Sequence, residues 1–278
     1  MQKLGQHFLK NAAILQKVVD ALALADGDRV IEIGPGHGEL TTPLALAARS
    51  KHCEIFCIEK DHALISGLEA FAGQENIVAA EHAGGGDAHA DRINIVEGDA
   101  LKLLPEVVKG ASHYKIAGNI PYYITGKLLR VISELEYKPE RVALLIQKEV
   151  AERICAVAPD MNRLAASVQF WADAEIIAHV SKMDFSPPPE VDSAVIILRT
   201  KTPALSVDSA LYYRAVRGIF AQPRKTLLNN VSVAAGDGIA KGDIAARFEK
   251  IGIDPAARPQ DLSIEQIIAI AQMNLKKL

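Results

Sequence analysis

Short apolar runs alternate with helix-period segments through the first 200 residues, and this alternation confines the chain to few folds. Five runs read as buried strands: Arg29-Val30-Ile31-Glu32-Ile33, Glu54 to Ile58, Ile93 to Val96, Tyr114 to Ala117 and Val142 to Ile146. Each is short, and a stretch long enough for a crossover helix follows, the pattern of a parallel sheet. Two later runs, Glu175 to Val180 and Ala194 to Leu198, flank the rigid Ser186-Pro187-Pro188-Pro189 with no room for a crossover. They are expected to finish the sheet as an antiparallel hairpin. The expectation is an α/β, Rossmann-like fold, with a mostly parallel seven-stranded sheet and helices on both faces.

Past Thr200 the strand signal ends, and Ser209 to Phe220 and Ile264 to Met273 carry helical periodicity. A length of 278 residues suits two unequal domains, placed at 1–200 and 201–278, the second small and all-helical. Residues 73–92, around Gly84-Gly85-Gly86, read as a flexible surface loop, and its His82 and His89 are not assigned a metal.

Composition narrows the function classes. With 49% hydrophobic and 23% charged residues, and no apolar run near the ~20 residues that span a bilayer, the chain reads as soluble with no membrane partner. The start Met1-Gln2-Lys3-Leu4-Gly5 lacks a basic-then-apolar leader, so a cytoplasmic location is expected. Three cysteines with no CxxC pair indicate neither a disulfide framework nor zinc. The net charge of -3 opposes nucleic-acid binding mildly, but residues 183–278 hold 12 basic against 10 acidic side chains, whereas 1–182 hold 19 against 24.

Strand Val30 to Ile33 runs into Gly34-Pro35-Gly36-His37-Gly38 and then a helix-like Leu40 to Ala48. Glycines there let the backbone approach a ligand at the carboxyl end of the first strand. The GPGHG spacing is not the GxGxxG that seats a dinucleotide pyrophosphate, which disfavours NAD or FAD. Glu59 ends the second strand, placed to accept from ribose hydroxyls, and Asp99 follows the third, placed for an adenine amine. Acids at successive strand ends favour an adenosine-type ligand.

The fourth strand ends in Gly118-Asn119-Ile120-Pro121-Tyr122-Tyr123. An adenine amine is a poor nucleophile because its lone pair is delocalised into the ring, so it needs alignment more than a strong base. The Asn119 amide oxygen and a carbonyl near Pro121 suit that task by accepting from the amine, and Tyr122, held by Pro121, suits stacking on an unstacked base.

Together with Gly5-Gln6-His7-Phe8-Leu9, Ile58-Glu59-Lys60-Asp61, Gly98-Asp99-Ala100, Gln147-Lys148-Glu149-Val150-Ala151, Phe185-Ser186-Pro187-Pro188-Pro189-Glu190-Val191-Asp192-Ser193 and Phe220 to Asn230, these motifs resemble the KsgA family of small-subunit rRNA adenine N6,N6-dimethyltransferases. The resemblance covers nearly the whole chain. It implies a class I S-adenosylmethionine-dependent methyltransferase domain and a helical RNA-recognition domain. It also implies cofactor contacts at His7, Leu9, Gly34, Gly36, Glu59, Lys60, Asp99, Ala100 and Asn119, and a target base held by Asn119, Pro121, Tyr122 and Phe185. S-adenosylhomocysteine is the implied product. Two adjacent adenines near the 3′ end of 16S rRNA, in a pre-30S or 30S particle, are the implied substrate, met by a monomer. Arg224 and Lys225 are the implied phosphate contacts. Large-subunit rRNA methyltransferases of the macrolide-resistance type share the first domain, and a mainly non-catalytic assembly factor or a methyltransferase for DNA or small molecules stays an alternative.

Overall fold

The computed structural model describes residues 7–74, 93–202, 207–236, 238–273 and 275. Gly5, Gln6 and nearly all of the expected loop, with His82, Gly84 to Gly86 and His89, lie outside those residues.

The chain begins with a two-residue strand β1 (Phe8–Leu9), helix α1 (Ala12–Leu22), β2 (Arg29–Ile33), α2 (Thr41–Arg49), β3 (Glu54–Glu59), α3 (His62–Gln74) and β4 (Ile93–Glu97). It continues through α4 (Ala100–Val107), β5 (Lys115–Asn119), α5 (Thr125–Glu134), β6 (Arg141–Gln147), α6 (Lys148–Cys155), α7 (Arg163–Gln169), β7 (Ala172–Val180), β8 (Phe185–Ser186) and β9 (Ser193–Thr200). Helices α8 (Ser209–Ile219), α9 (Leu227–Ala235), α10 (Lys241–Lys250) and α11 (Ile264–Gln272) complete it.

Seven strands form one sheet in the order β4-β3-β2-β5-β6-β9-β7. The pairings from β4 to β6 are parallel, and β9 pairs antiparallel with β6, Leu144 opposite Ile196. The late runs are neighbours at one edge, as their short connection requires. The sequence reading missed β1 and β8, which pair antiparallel as a separate two-stranded sheet, Phe8 opposite Ser186 and Leu9 opposite Phe185. Two-residue strands carry no period-2 signal, so only the tertiary pairing reveals them.

The chain groups into two compact units, residues 1–151 with 174–200, and residues 152–173 with 201–278. The helical unit therefore includes a segment that a division at residue 200 assigns to the first domain. In the first unit the core sits on the sheet and α1, where Val30, Ala117, Ala143 and Val195 meet Ile14, Val18 and Val19. Asn11 starts α1 by accepting from Ala13 and Ile14 N–H groups at 3.1 and 3.3 Å, satisfying donors a helix start leaves open. Its amide also donates to Asp184 Oδ1 at 3.1 Å, and Lys10 N–H donates to Asp184 O at 2.8 Å, so α1 and the β1–β8 pair are fastened at one point. At the amino end of β5, far along the strand from Asn119, buried Lys115 donates to Asp28 and to the Ala23 carbonyl that ends α1.

In the helical unit Tyr212 is fully buried, stacked on Phe170 at 4.0 Å between ring centroids, and its hydroxyl donates to Ala166 O at 2.9 Å. Burial pushes that phenol well above its ordinary range, so it stays a donor.

Candidate active site

The strand order reverses at the β2–β5 pair: from β2 the chain builds outward through β3 and β4, then returns to lay β5 on the other side. Connections diverge at such a point and leave a crevice outside the carboxyl ends of the strands. Here the crevice is a cleft lined by Gly34, Gly36, Glu59, Asn119, Pro121 and Tyr122 from the strand ends, and by His7 and Phe8 from the amino-terminal segment. Seven of the residues assigned from sequence meet there.

The β2 side is a backbone cradle. Gly36 has φ +64°, and a Cβ on it would lie 2.8 Å from Phe8 Cε1, so glycine is required both by conformation and by the aromatic ring against the loop. Its N–H donates to Glu59 Oε2 at 3.2 Å, while Lys60 and Asp61 N–H groups donate to Oε1, each at 2.8 Å. Three backbone donors satisfy a buried carboxylate and fix its plane, leaving lone pairs for further acceptance. Where β2 and β5 end side by side, a Cβ on Gly118 would lie 2.7 Å from the Ile33 carbonyl oxygen, so the close approach of the two loops depends on glycine.

Beneath this cradle lies an acid the sequence reading left as a strand residue. Glu32 is buried, Cys57 Sγ donates to its Oε2 at 3.4 Å, and burial, as the largest cause, pushes its carboxyl up to about 7. The available signal was a carboxylate inside an apolar strand.

Lys60 and Asp99 sit beside the cleft rather than in its lining. They form an ion pair at 3.0 Å, and Asp99 Oδ1 caps α4 by accepting from Leu101 N–H at 3.0 Å. The Lys60 ammonium holds the Asp99 carboxyl below its usual range, and Asp99 holds Lys60 above its own. Ala100 is buried behind this cap.

On the β5 side, Asn119 Nδ2 donates to the His7 carbonyl at 3.0 Å. A carbonyl only accepts, so the amide nitrogen faces His7 and the amide oxygen is turned away as an acceptor. The His7 ring in turn meets Pro187 O at 2.9 Å through Nδ1 and stacks on Tyr122, 6.0 Å between centroids and 24° between planes. Tyr122 is anchored from behind: its hydroxyl and that of fully buried Ser193 are 2.7 Å apart. Burial pushes the Tyr122 phenol above its ordinary value, so it is neutral at physiological pH and offers a ring, not a base. Ser193, at the start of β9, closes the Phe185-to-Ser193 motif, but the sequence gave it no role of its own.

Leu9 and Phe185, opposite one another in the two-stranded sheet, do not line the cleft. Both are buried in the apolar core on α1 and the sheet. In the helical unit Arg224 and Lys225 are exposed on a turn before α9. Buried Asn230 clips that turn, accepting from Gln222 N–H at 2.8 Å and donating to Gln222 O at 3.0 Å and Thr226 O at 3.1 Å.

The sequence profile of the family described as "Ribosomal RNA adenine dimethylase" matches residues 1–276. A Dehalococcoides mccartyi (strain CBDB1) protein named Ribosomal RNA small subunit methyltransferase A is 38% identical over 267 residues, 95% of this chain and 84% of that protein. Among solved structures, a dimethyladenosine transferase from Plasmodium falciparum is similar with a TM-score of 0.76 at 23% identity, covering 95% of this chain and 96% of its own. The 23S rRNA methyltransferase ErmE is similar with a TM-score of 0.72 at 22% identity, covering 95% and 98%. At such identities the two structures speak for the fold, a Rossmann-like methyltransferase architecture with a helical carboxyl-terminal region. With a switch-point cleft, a carboxylate at the end of β3 and an Asn-Ile-Pro-Tyr loop at the end of β5 already in place, the match across almost the whole length decides the family: the chain belongs to the ribosomal RNA adenine dimethylases.

Proposed function

We propose that the chain transfers methyl groups from S-adenosylmethionine to the N6 amines of two adjacent adenines in a hairpin near the 3′ end of small-subunit rRNA, giving N6,N6-dimethyladenosine during small-subunit biogenesis. Family membership and the name of the 38% identical relative support the reaction class and the RNA. The observation that carries the reading is the Asn119 amide, fixed by the His7 carbonyl and set beside the anchored Tyr122 ring in the switch-point cleft.

S-adenosylmethionine, when bound, supplies an electrophilic methyl carbon. The residues present fit it: Glu59 has both oxygens oriented by backbone N–H groups and lone pairs to spare for ribose hydroxyls, and ionised Asp99 suits the adenine amine at the edge of the cleft. Gly34 and Gly36 let the backbone lie close to that ligand, with His7, Lys60 and Ala100 completing its surroundings. Leu9 acts from the core by holding His7 in place.

For the substrate amine, Asn119 Oδ1 and the carbonyl near Pro121 accept hydrogen bonds from its two N–H groups, which turns the lone pair toward the methyl carbon and favours positive charge building on nitrogen; once the N–C bond has formed and the sulfonium's S–C bond has broken, the cationic amine releases one proton to solvent. Tyr122 stacks on the extruded base. Phe185 supports that pocket from behind through the segment carrying Pro187. Stacking does not consume the amine protons, so a monomethylated amine is still held for a second transfer. The helical unit brings Arg224 and Lys225 to phosphates, on a turn that Asn230 pre-shapes. The protein works as a monomer on a pre-30S or 30S particle.

Mass spectrometry of small-subunit rRNA from cells with and without the protein tests this. Dimethyladenosine near the 3′ end is expected to vanish without it and not to return with Asn119→Ala; unchanged modification in its absence overturns the reading.

A further inference from the structure

The short turn Tyr122–Ile124 presents two neighbouring tyrosines to opposite surroundings. Tyr122 is half-buried, faces the cleft and is tied to Ser193. Tyr123 is 58% exposed and is absent from the cleft lining. A large ring left in water is informative when it stands beside a site whose substrate is a nucleic acid. An exposed aromatic ring is the surface on which proteins stack the bases of single strands.

The proposed chemistry creates a need for such a ring. Drawing one adenine into the cleft removes a stacking partner from the next nucleotide, which then exposes a π-face to water. A surface that takes over that stack offsets the cost of extruding the target. Tyr122 cannot do both tasks, since its face belongs to the base inside the cleft. Tyr123 is the adjacent residue on the same turn, and its exposed ring stands beside the cleft, where a base next to the extruded one would lie.

We propose that Tyr123 is a stacking platform for the RNA base neighbouring the target adenine, and so a substrate-positioning residue distinct from the Asn119 and Tyr122 machinery. The proposal rests on the reading of the chain as an rRNA adenine methyltransferase. Because stacking is largely indifferent to base identity, the same platform serves both adenines, whichever base stands beside the one in the cleft.

The test compares the full chain with Tyr123→Ala and Tyr123→Phe, measuring labelled methyl transfer to a 3′-terminal small-subunit rRNA hairpin and calorimetric binding of S-adenosylmethionine. Tyr123→Ala is expected to raise the KM for RNA about tenfold, the scale of one lost base stack, with kcat at saturating RNA and cofactor Kd unchanged. Tyr123→Phe, which keeps the ring, is expected to restore the wild-type KM. An unchanged KM in Tyr123→Ala overturns the proposal, as does a loss that appears in cofactor Kd instead, which assigns the ring to the cofactor's adenine. A measurement on the unaltered protein guards against misfolding of the variants. With 2-aminopurine beside the target adenine, binding is expected to leave its fluorescence quenched by stacking, and brightening on binding overturns the proposal. Should the unaltered protein transfer no methyl group to rRNA, the underlying reading falls; transfer with no Tyr123 effect removes the platform alone.

Discussion

Two regions of the first unit reach the same cleft by different routes. The loops after β2, β3 and β5 arrive because parallel strands point the same way, so any residues just past their carboxyl ends share an edge. The β1–β8 pair joins residues some 180 positions apart, Phe8 with Ser186 and Leu9 with Phe185, across an otherwise separate part of the chain. The first region supplies the cradle, Glu59 and Asn119. The second supplies the His7 carbonyl that orients Asn119, the Phe8 ring that abuts Gly36, and the Pro187 carbonyl that fixes the His7 imidazole. A chemically equipped edge is therefore not yet an organised one. The strap turns a set of strand-end residues into a defined amide direction and a defined ring plane, and its own hold on the protein is the burial of Leu9 and Phe185 in the core.

That division is open to attack from both sides. The largest effect is expected from the strap's anchor: Phe185→Ala removes a buried ring and should lower unfolding free energy by about 4 kcal/mol, measured by urea titration, with amide exchange of Lys10 and Leu9 accelerated more than that of the β2–β5 strands. Equal acceleration in both regions would show that the strap is no separate element. Next, Glu32 tests the edge itself. Its carboxyl is neutral in the folded chain up to about pH 7 and ionises near 4.5 when exposed, so the folded state loses stability as pH rises from 4.5 through 7 and is flat beyond. Glu32→Gln should abolish about 2 to 3 kcal/mol of the stability drop between pH 5 and pH 8, read from thermal melts; an unaltered slope would place the titration elsewhere. At the junction of the two regions, Asn119→Ala should cut kcat by about a hundredfold while leaving cofactor Kd within a few-fold. A variant with normal kcat would remove Asn119 from the chemistry. The smallest effect belongs to Ser193→Ala, which leaves the Tyr122 hydroxyl without its buried partner and should cost about 1 kcal/mol, seen as a several-fold rise in KM for RNA. A variant indistinguishable from wild type would mean packing alone holds the ring.

Much of the first region was legible in the linear chain. Hydrophobic runs located all seven strands of the main sheet within a few residues: the central strands are buried along most of their length and so mostly apolar, and the edge strands β4 and β7 still keep a short apolar stretch. The glycine turn, Glu59 and the Asn119 to Tyr122 segment stood out because each follows such a run directly. Glu32 escaped attention although its signal was visible, since an acid in an apolar strand tells nothing of its protonation until burial is known. Ser193 and Asn230 each close a family-like motif, but the linear chain gave neither its role: one anchors a ring 71 positions earlier, the other ties a turn through four backbone groups, and neither role has a sequence period.

What the sequence determined by itself is the strand-and-helix alternation, the parallel edge and the chemical inventory gathered on it, because periodicity and strand-end position are local properties. Only the tertiary structure decided which way the Asn119 amide faces, that Leu9 and Phe185 lie in the core rather than in the cleft lining, and that residues 152–173 group with the helical unit. Those outcomes depend on which distant groups come within hydrogen-bond or van der Waals range, and a range of a few ångströms is set by the packing of the whole unit rather than by any stretch of chain.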